Sequence, residues 1–310
     1  MSKITGQPQA ALRASVANCL MGGDSITHTG DSWICDLVTF DCGGYQFKFR
    51  QKPEVINGNL DLFKGAFAET TEVTVADVAE DQVQEVKTAI ERICWLLSFA
   101  GTCQVVPFEY EYPNGSGLTH TFAVSGVAQY FRPVFEISNG TQVKSFVEQT
   151  YNQYARLEQT RKLNVIIHYL NQAEAPAPQP MEIKLILVFV ALESLKHTFA
   201  ESQGFRFKDG NFRKPEWMPR DKNKKNTYWF KELVEMMLKE VSMSYDLTAA
   251  KKLRNDLIHS GLSMEPYNVQ SELYADVHDL IREYLLRLLG YRGHYSPYAF
   301  ERRGVSAESA

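Results

Sequence analysis

The sequence predicts an α+β protein: an N-terminal β-rich domain that includes one amphipathic helix, followed by a C-terminal all-α four-helix bundle. Three observations carry that expectation. Up to Tyr130 the chain is dominated by short runs rich in Val, Phe, Tyr and Thr, punctuated by C-G-G, N-G-N and P-N-G-S-G. After Pro180 four apolar stripes recur at helical spacing. Between these regions lies Gln172 to Pro180, Q-A-E-A-P-A-P-Q-P, whose closely spaced prolines oppose a helix and favour an extended connection. The expected organisation is therefore a sensing or regulatory domain over 1–140, a helical connector and Pro-rich linker over 141–180, and a helical domain over 181–303.

In chain order, Trp33 to Phe40, Tyr45 to Arg50, Glu72 to Val75, Gln104 to Tyr112 and Leu118 to Tyr130 read as strands. Glu80 to Phe99 reads as a helix, with Val83, Val86, Ile90, Ile93 and Leu97 on one side. From Gln142 to Leu170 the period turns helical again, through Val143, Phe146, Val147, Tyr151, Tyr154 and Leu157. Met181 to Phe199 is apolar on all sides through its middle, as a central helix must be. Trp229 to Val241 aligns Phe230, Leu233, Met237 and Val241; Leu247 to Ser260 aligns Leu247, Ala250, Leu253 and Leu257. Val269 to Leu289 completes the set with Val269, Leu273, Val277, Leu280, Tyr284 and Leu288. Short polar turns join these helices, except for an insertion over 201–228 that is too long for a mere connection.

Composition excludes several classes. Of the 310 residues 44% are hydrophobic and 23% charged, the balance of a folded globular chain. The longest apolar run, Leu185 to Leu192, falls far short of the roughly 20 residues that cross a bilayer. No basic-then-apolar leader opens the chain, so a cytoplasmic protein is expected. Cys19, Cys35, Cys42, Cys94 and Cys103 are odd in number and lack metal-site spacing, which fits reduced, structural thiols. Net charge is −4, but residues 1–180 hold 13 Lys+Arg against 19 Asp+Glu, whereas 181–303 hold 20 against 17. The basic excess is concentrated between Arg206 and Lys225.

The segment that carries chemistry is Leu253-Arg254-Asn255-Asp256-Leu257-Ile258-His259-Ser260-Gly261. Asp246 suits an N-cap and Gly261 a residue just past the helix end, so the helix closes near His259. Asn255 and His259 are i, i+4 neighbours on one face, and Arg254 lies about 100° around the cylinder, within reach of its long side chain. The last turn presents the negative end of the helix dipole, a setting that suits an imidazolium. A guanidinium, an amide and an imidazole would converge where a phosphate could sit. That set suits metal-independent RNA cleavage, in which a ribose 2′-OH attacks the adjacent phosphodiester with help from a base, an acid and fixed positive charge. One imidazole cannot be acid and base at once, so a symmetric partner is expected to supply the second. The plainer alternative pairs Arg254 with Asp256, Glu193 or another acid, and makes His259 a helix cap.

Arg-Asn-x-x-x-His on the third helix of a bundle whose first helix carries Ala191-Leu192-Glu193-Ser194-Leu195 resembles the HEPN domain (higher eukaryotes and prokaryotes nucleotide-binding), and most of all its ApeA-like phage-defence branch. The resemblance covers roughly Met181 to Leu289; residues 1–140 carry no such likeness. It implies a homodimeric ribonuclease that needs no metal or other cofactor and leaves a 2′,3′-cyclic phosphate. By that carry-over Arg254 and His259 are catalytic, Asn255 is the polar residue beside the arginine, and Glu193 is an acid that orients it. The remaining histidines, His28, His120, His168, His197, His278 and His294, stand at no ligand or triad spacing and read as structural.

The insertion interleaves charge with aromatic side chains, the combination that single-stranded RNA meets with its phosphates and bases. Arg213, Lys214, Trp217, Arg220, Lys222, Lys224 and Lys225 are its expected RNA contacts; solvated surface charge is the plainer reading. The leading expectation is thus a regulated endoribonuclease in abortive antiviral defence, triggered by a phage-derived or other protein signal at the N-terminal domain. Two other classes remain: a catalytically silent HEPN dimer that scaffolds nucleotide, RNA or a protein partner, and a metal-dependent nuclease, which lacks a D-x-D or paired-His constellation.

Overall fold

A computed structural model of the chain describes residues 10–29, 32–56, 63, 68–113, 118–119, 132–174, 179–218 and 226–299. The architecture is α+β, with an antiparallel sheet toward the N-terminus and helices dominating the remainder. The chain divides into two compact units, Met1–Ala155 with Glu174–Pro176, and Arg156–Ala173 with Ala177–Ala310. None of the described helices is long and apolar enough to cross a membrane.

The first unit is built on strands β1 (Ala10–Ala17), β2 (Ser25–Thr29), β3 (Ser32–Cys42), β4 (Tyr45–Gln51), β5 (Glu69–Val78), β6 (Val106–Glu111) and β7 (Leu118–Thr119), in the order β2-β3-β4-β5-β1-β6-β7. Every pairing is antiparallel. Glycines make the β3–β4 hairpin possible. Gly43 and Gly44 take φ of +57° and +83°, which a two-residue turn between twisted strands requires. A short helix α1 (Pro53–Ile56) follows β4, and α2 (Val83–Gly101) buries Val86, Ile90, Ile93 and Leu97 as its period predicts.

β1 and β2 are not among the strands expected from composition, yet β1 lies inside the sheet between β5 and β6. Its inward residues, Leu12, Ala14 and Val16, alternate correctly, but the run A-A-L-R-A-S-V-A is poor in the β-branched and aromatic residues that mark strands. Burial between two neighbours, a non-local effect, makes it a strand. Of the expected strand Leu118 to Tyr130, Leu118 and Thr119 pair with Tyr110 and Glu109, and the rest lies outside the described residues.

Gln142 to Leu170 forms two helices rather than one, α3 (Gly140–Arg161) and α4 (Leu163–Ala173). Lys162 takes φ +50° between them, with no glycine or proline to announce the break. Within the first unit Phe146 of α3 packs on Phe135 and Phe99, with ring centroids 4.6 and 6.0 Å away. In the second unit Arg161, buried, pairs with Glu240 at 3.0 Å and with the Tyr284 hydroxyl, and lies over the Phe199 ring.

The second unit contains α4, α5 (Met181–Ser202), a hairpin of β8 (Arg206–Lys208) and β9 (Asn211–Arg213), α6 (Phe230–Lys239), α7 (Thr248–Ser260) and α8 (Tyr267–Leu288). α5 packs against α4, α6, α7 and α8. Its central place explains its all-round apolarity: Leu185, Val188, Ala191, Leu192, Leu195 and Phe199 are all buried. The expected helices over 181–199, 229–241, 247–260 and 269–289 correspond to α5 to α8. α7 closes as anticipated at Gly261, with φ +71° and its N–H donated to the Leu257 carbonyl at 2.8 Å. At the other end the N-cap is Leu247 rather than the expected Asp246, whose Oδ1 nevertheless accepts the Thr248 N–H at 3.0 Å from one residue further out.

Candidate functional site

The site begins with one face of α5. Glu193 and His197 are separated by four residues and so lie one turn apart, with Lys196 beside them. Across from this face α7 presents Lys251, Arg254, Asn255 and His259, whose spacing keeps them on one side while Leu253 and Leu257 enter the core. Between the two helices opens a cleft of about 710 Å³, which both sets of side chains line. Phe230, the first residue of α6, and Phe207 and Phe212 of the β8–β9 hairpin supply its aromatic walls.

Glu193 and Arg254 form the centre. The Glu193 Oε1 atom accepts from Arg254 Nε at 2.8 Å and from Nη2 at 2.6 Å, a charge-assisted grip that fixes the plane of the guanidinium. The Nη1 atom of the same group donates to Asn255 Oδ1 at 2.9 Å. Lys196 Nζ holds the other Glu193 oxygen, so one carboxylate serves two cations. The Phe230 ring lies under both, 4.9 Å from Arg254 Cζ and 5.4 Å from Lys196 Nζ. With Lys251 added, three permanent cations on the cleft face one carboxylate, and the local balance is positive. That excess attracts an anion.

His259 also lines the cleft. Its side chain is exposed and, among the described residues, has no hydrogen bond or ion pair. Glu193, Arg254, Asn255 and His259 are therefore brought onto one cleft, 61 residues separating Glu193 from Arg254 in the chain. Arg254 does pair with Glu193, but through one side of the guanidinium, and it retains partial access to solvent.

The insertion is more ordered than a charged loop. Asp209 and Gly210 take φ of +52° and +74°, giving the two-residue Asp-Gly hairpin turn, with Lys208 paired to Asn211. The sequence carries the signal for this turn in K-D-G-N flanked by phenylalanines. Arg213 is buried and donates to Thr227 Oγ1 at 2.8 Å, and its guanidinium stands 5.2 Å from the ring of Trp217, also buried. Lys214 Nζ lies 2.7 Å from Glu232 Oε1, a hydrogen bond that holds the ammonium above the usual lysine range and the carboxyl below its own. These three expected RNA contacts brace the hairpin beside the cleft rather than line it. Arg220, Lys222, Lys224 and Lys225 lie outside the described residues.

Lys196 and Lys251 carry no expectation from the sequence, and His197, expected to be structural, Phe207 of the aromatic insertion and Phe230 of an apolar stripe join them on the cleft. For Lys196 and His197 a signal existed, since they follow Glu193 at helical spacing; the hairpin's place on the cleft had none. Among the described residues no group of three or more His, Cys, Asp or Glu is arranged to hold a metal ion. Compared with protein-family models, curated proteins and solved structures, the chain matches none.

Proposed function

We propose that this protein is a HEPN-type endoribonuclease that cuts RNA without a metal, by attack of a 2′-OH on the adjacent phosphodiester, leaving a 2′,3′-cyclic phosphate. The observation that carries the reading is the Glu193–Arg254–Asn255 chain of hydrogen bonds on a cationic cleft that His259 also lines. Arg254 would receive the scissile phosphate on its unengaged N–H groups and stabilise the charge of the phosphorane. His259 would transfer a proton. Asn255 and Glu193 would hold the guanidinium plane, which an arginine needs to meet two phosphate oxygens together.

In this reading α5 to α8 are the four helices of a HEPN-like bundle, and the enzyme is a homodimer. Ile258, Leu262, Met264 and Tyr267, all exposed and close to His259 in the chain, would give a second copy apolar area to cover. The N-terminal sheet unit would restrain or trigger the nuclease in antiviral defence within the cytoplasm. A silent RNA-binding or protein-binding scaffold is the second reading. It is favoured by one observation, that Glu193 and Asn255 already engage Arg254 through Nε, Nη2 and Nη1.

The deciding experiment incubates the purified protein, in EDTA, with single-stranded RNA and analyses the ends. Cleavage with 2′,3′-cyclic phosphate and 5′-OH termini is expected. Activity that vanishes on chelation and returns with magnesium would overturn the mechanism. Binding without cleavage, with and without candidate triggers, would establish the scaffold.

A further inference from the structure

The β8–β9 hairpin has two faces of opposite chemistry. Antiparallel partners share a face and chain neighbours alternate, so the pairs Arg206↔Arg213, Phe207↔Phe212 and Lys208↔Asn211 sort the side chains. Phe207 and Phe212 lie on the cleft side, with ring centroids 5.0 and 4.9 Å from that of His197 on α5. Arg206, Lys208 and Arg213 therefore stand on the other side, where the Trp217 ring gathers them: its centroid is 5.0 Å from Arg206 Cζ, 5.4 Å from Lys208 Nζ and 5.2 Å from Arg213 Cζ. An indole attracts each cation without cancelling its charge. Asp209 is the only acid between Arg206 and Arg213, and its carboxylate lies 3.5 Å from Arg213 Nη2. Arg206 and Lys208 are exposed, and among the described residues neither has an ion pair.

Three cations against one carboxylate, two of them arginines directly opposite each other on the hairpin, repel, and an anion would relieve that repulsion. Spacing narrows the class of anion. Arg206 and Lys208, two residues apart on one strand, are separated along it by about 6.6 Å, close to the step between successive phosphates of an extended nucleic-acid strand. We propose that this outer face of the hairpin is a second, phosphodiester-binding site, separate from the cleft, which holds the backbone of the RNA strand beyond the bond to be cut. The proposal rests on the RNA reading of the cleft and adds a length requirement to it. β9 is bonded on its far side through the Arg213–Thr227 bridge, and among the described residues β8 is the free edge, so a strand leaving the cleft past Phe207 meets these cations as it crosses β8. Arg206 and Lys208 contact the phosphates; Arg213 and Trp217, both buried, fix them in place.

The test measures binding of the full-length protein to two fluorescent, non-cleavable 2′-deoxy oligonucleotides: a trinucleotide, short enough for the cleft alone, and a strand of about 16 nucleotides, the upper span of a single-strand groove. Arg206→Gln combined with Lys208→Gln removes both charges and keeps aliphatic stems over Trp217. Affinity for the long strand should fall ~10-fold at low salt, and the slope of its logarithm against log salt should lessen by about 1.4, two released counterions on a single strand. Affinity for the trinucleotide should stay within about twofold, since its phosphates do not reach the hairpin's outer face. With cleavable long RNA the rate at saturation should hold while the half-saturating concentration rises. Arg13→Gln combined with Lys48→Gln, both exposed on the sheet of the first unit, removes the same charge and should leave both affinities unchanged.

An unchanged long-strand affinity would overturn the site, and so would an equal loss in the sheet control, which would assign the effect to bulk charge. Equal weakening of both oligonucleotides would place the effect in the cleft and overturn a separate site too. Wild type that binds the long strand through Arg206 and Lys208 yet never cleaves RNA would remove the nuclease reading and leave this one standing. Wild type that binds neither oligonucleotide would remove both.

Discussion

Replacing Glu193 by Gln should move binding and catalysis in opposite directions. The carboxylate lies 2.6 Å from Arg254 on one side of the guanidinium. A phosphate accepted on the remaining N–H groups would stand about 6 Å from it, where two unit charges repel by ~0.7–1.4 kcal/mol at an effective dielectric of 40–80. Because both side chains are only partly covered, with 22% and 27% exposed, the upper part of the dielectric range applies. Removing that repulsion should tighten RNA binding by roughly three- to fivefold. The Glu193→Gln side chain retains an oxygen for the Arg254 Nε but loses the charge that grips the guanidinium plane, and a misplaced arginine should lower kcat at least ~10-fold. Fluorescence anisotropy with a non-cleavable 2′-deoxy oligonucleotide reads the affinity, and single-turnover cleavage reads the rate. If affinity falls together with rate, the phosphate does not bind beside Arg254 and the site is misassigned.

Other outcomes follow from the same structure. His259→Ala should abolish cleavage by two orders of magnitude or more while shifting stability by less than about 0.5 kcal/mol, because the side chain is exposed and unpartnered among the described residues; a large drop in Tm would refute that separation. Lys251→Ala should lessen the slope of log affinity against log salt by about 0.7, one released counterion on a single strand, and an unchanged slope would place the RNA elsewhere. Arg161→Met should cost about 3 kcal/mol in urea unfolding, since it leaves Glu240 and Tyr284 without their buried cation, and a loss under 1 kcal/mol would contradict the brace. Burial, reinforced by Arg282 and Lys184, holds His278 well below its ordinary 6.5, so the unfolded chain binds a proton that the folded one refuses. Stability should therefore fall as pH drops below 6.5, by up to ~1.4 kcal/mol per unit, and a slope unaltered in His278→Gln would assign the loss to other groups. Cys19 and Cys42 are buried with thiols pushed up to about 12, and Cys94 and Cys103 are buried as well. A thiol reagent should thus label Cys35 in the native protein and all five cysteines after unfolding.

The two halves of the candidate site differed in how readily they could be read from sequence. On α7 the helical period, the glycine stop and the i, i+4 relation of Asn255 and His259 follow from neighbours a few residues apart, so spacing was enough to put the functional face on one side. The same applies to the apolar α5, whose composition foretold its place at the centre of the helical unit; Glu193 upon it was marked only by the family resemblance. Long-range packing was needed for the rest. It set α5 against α7 so that Glu193 grips Arg254, and it laid the β8–β9 hairpin along the cleft, giving His197 two aromatic neighbours. It also split the long helical pattern at Lys162 and made a strand of the alanine-rich β1 by enclosing it between β5 and β6. Periodicity identifies which side of an element is apolar, because that depends on local backbone geometry. The face against which it packs depends on contacts between residues distant in the chain, and these become favourable only when the whole unit has folded.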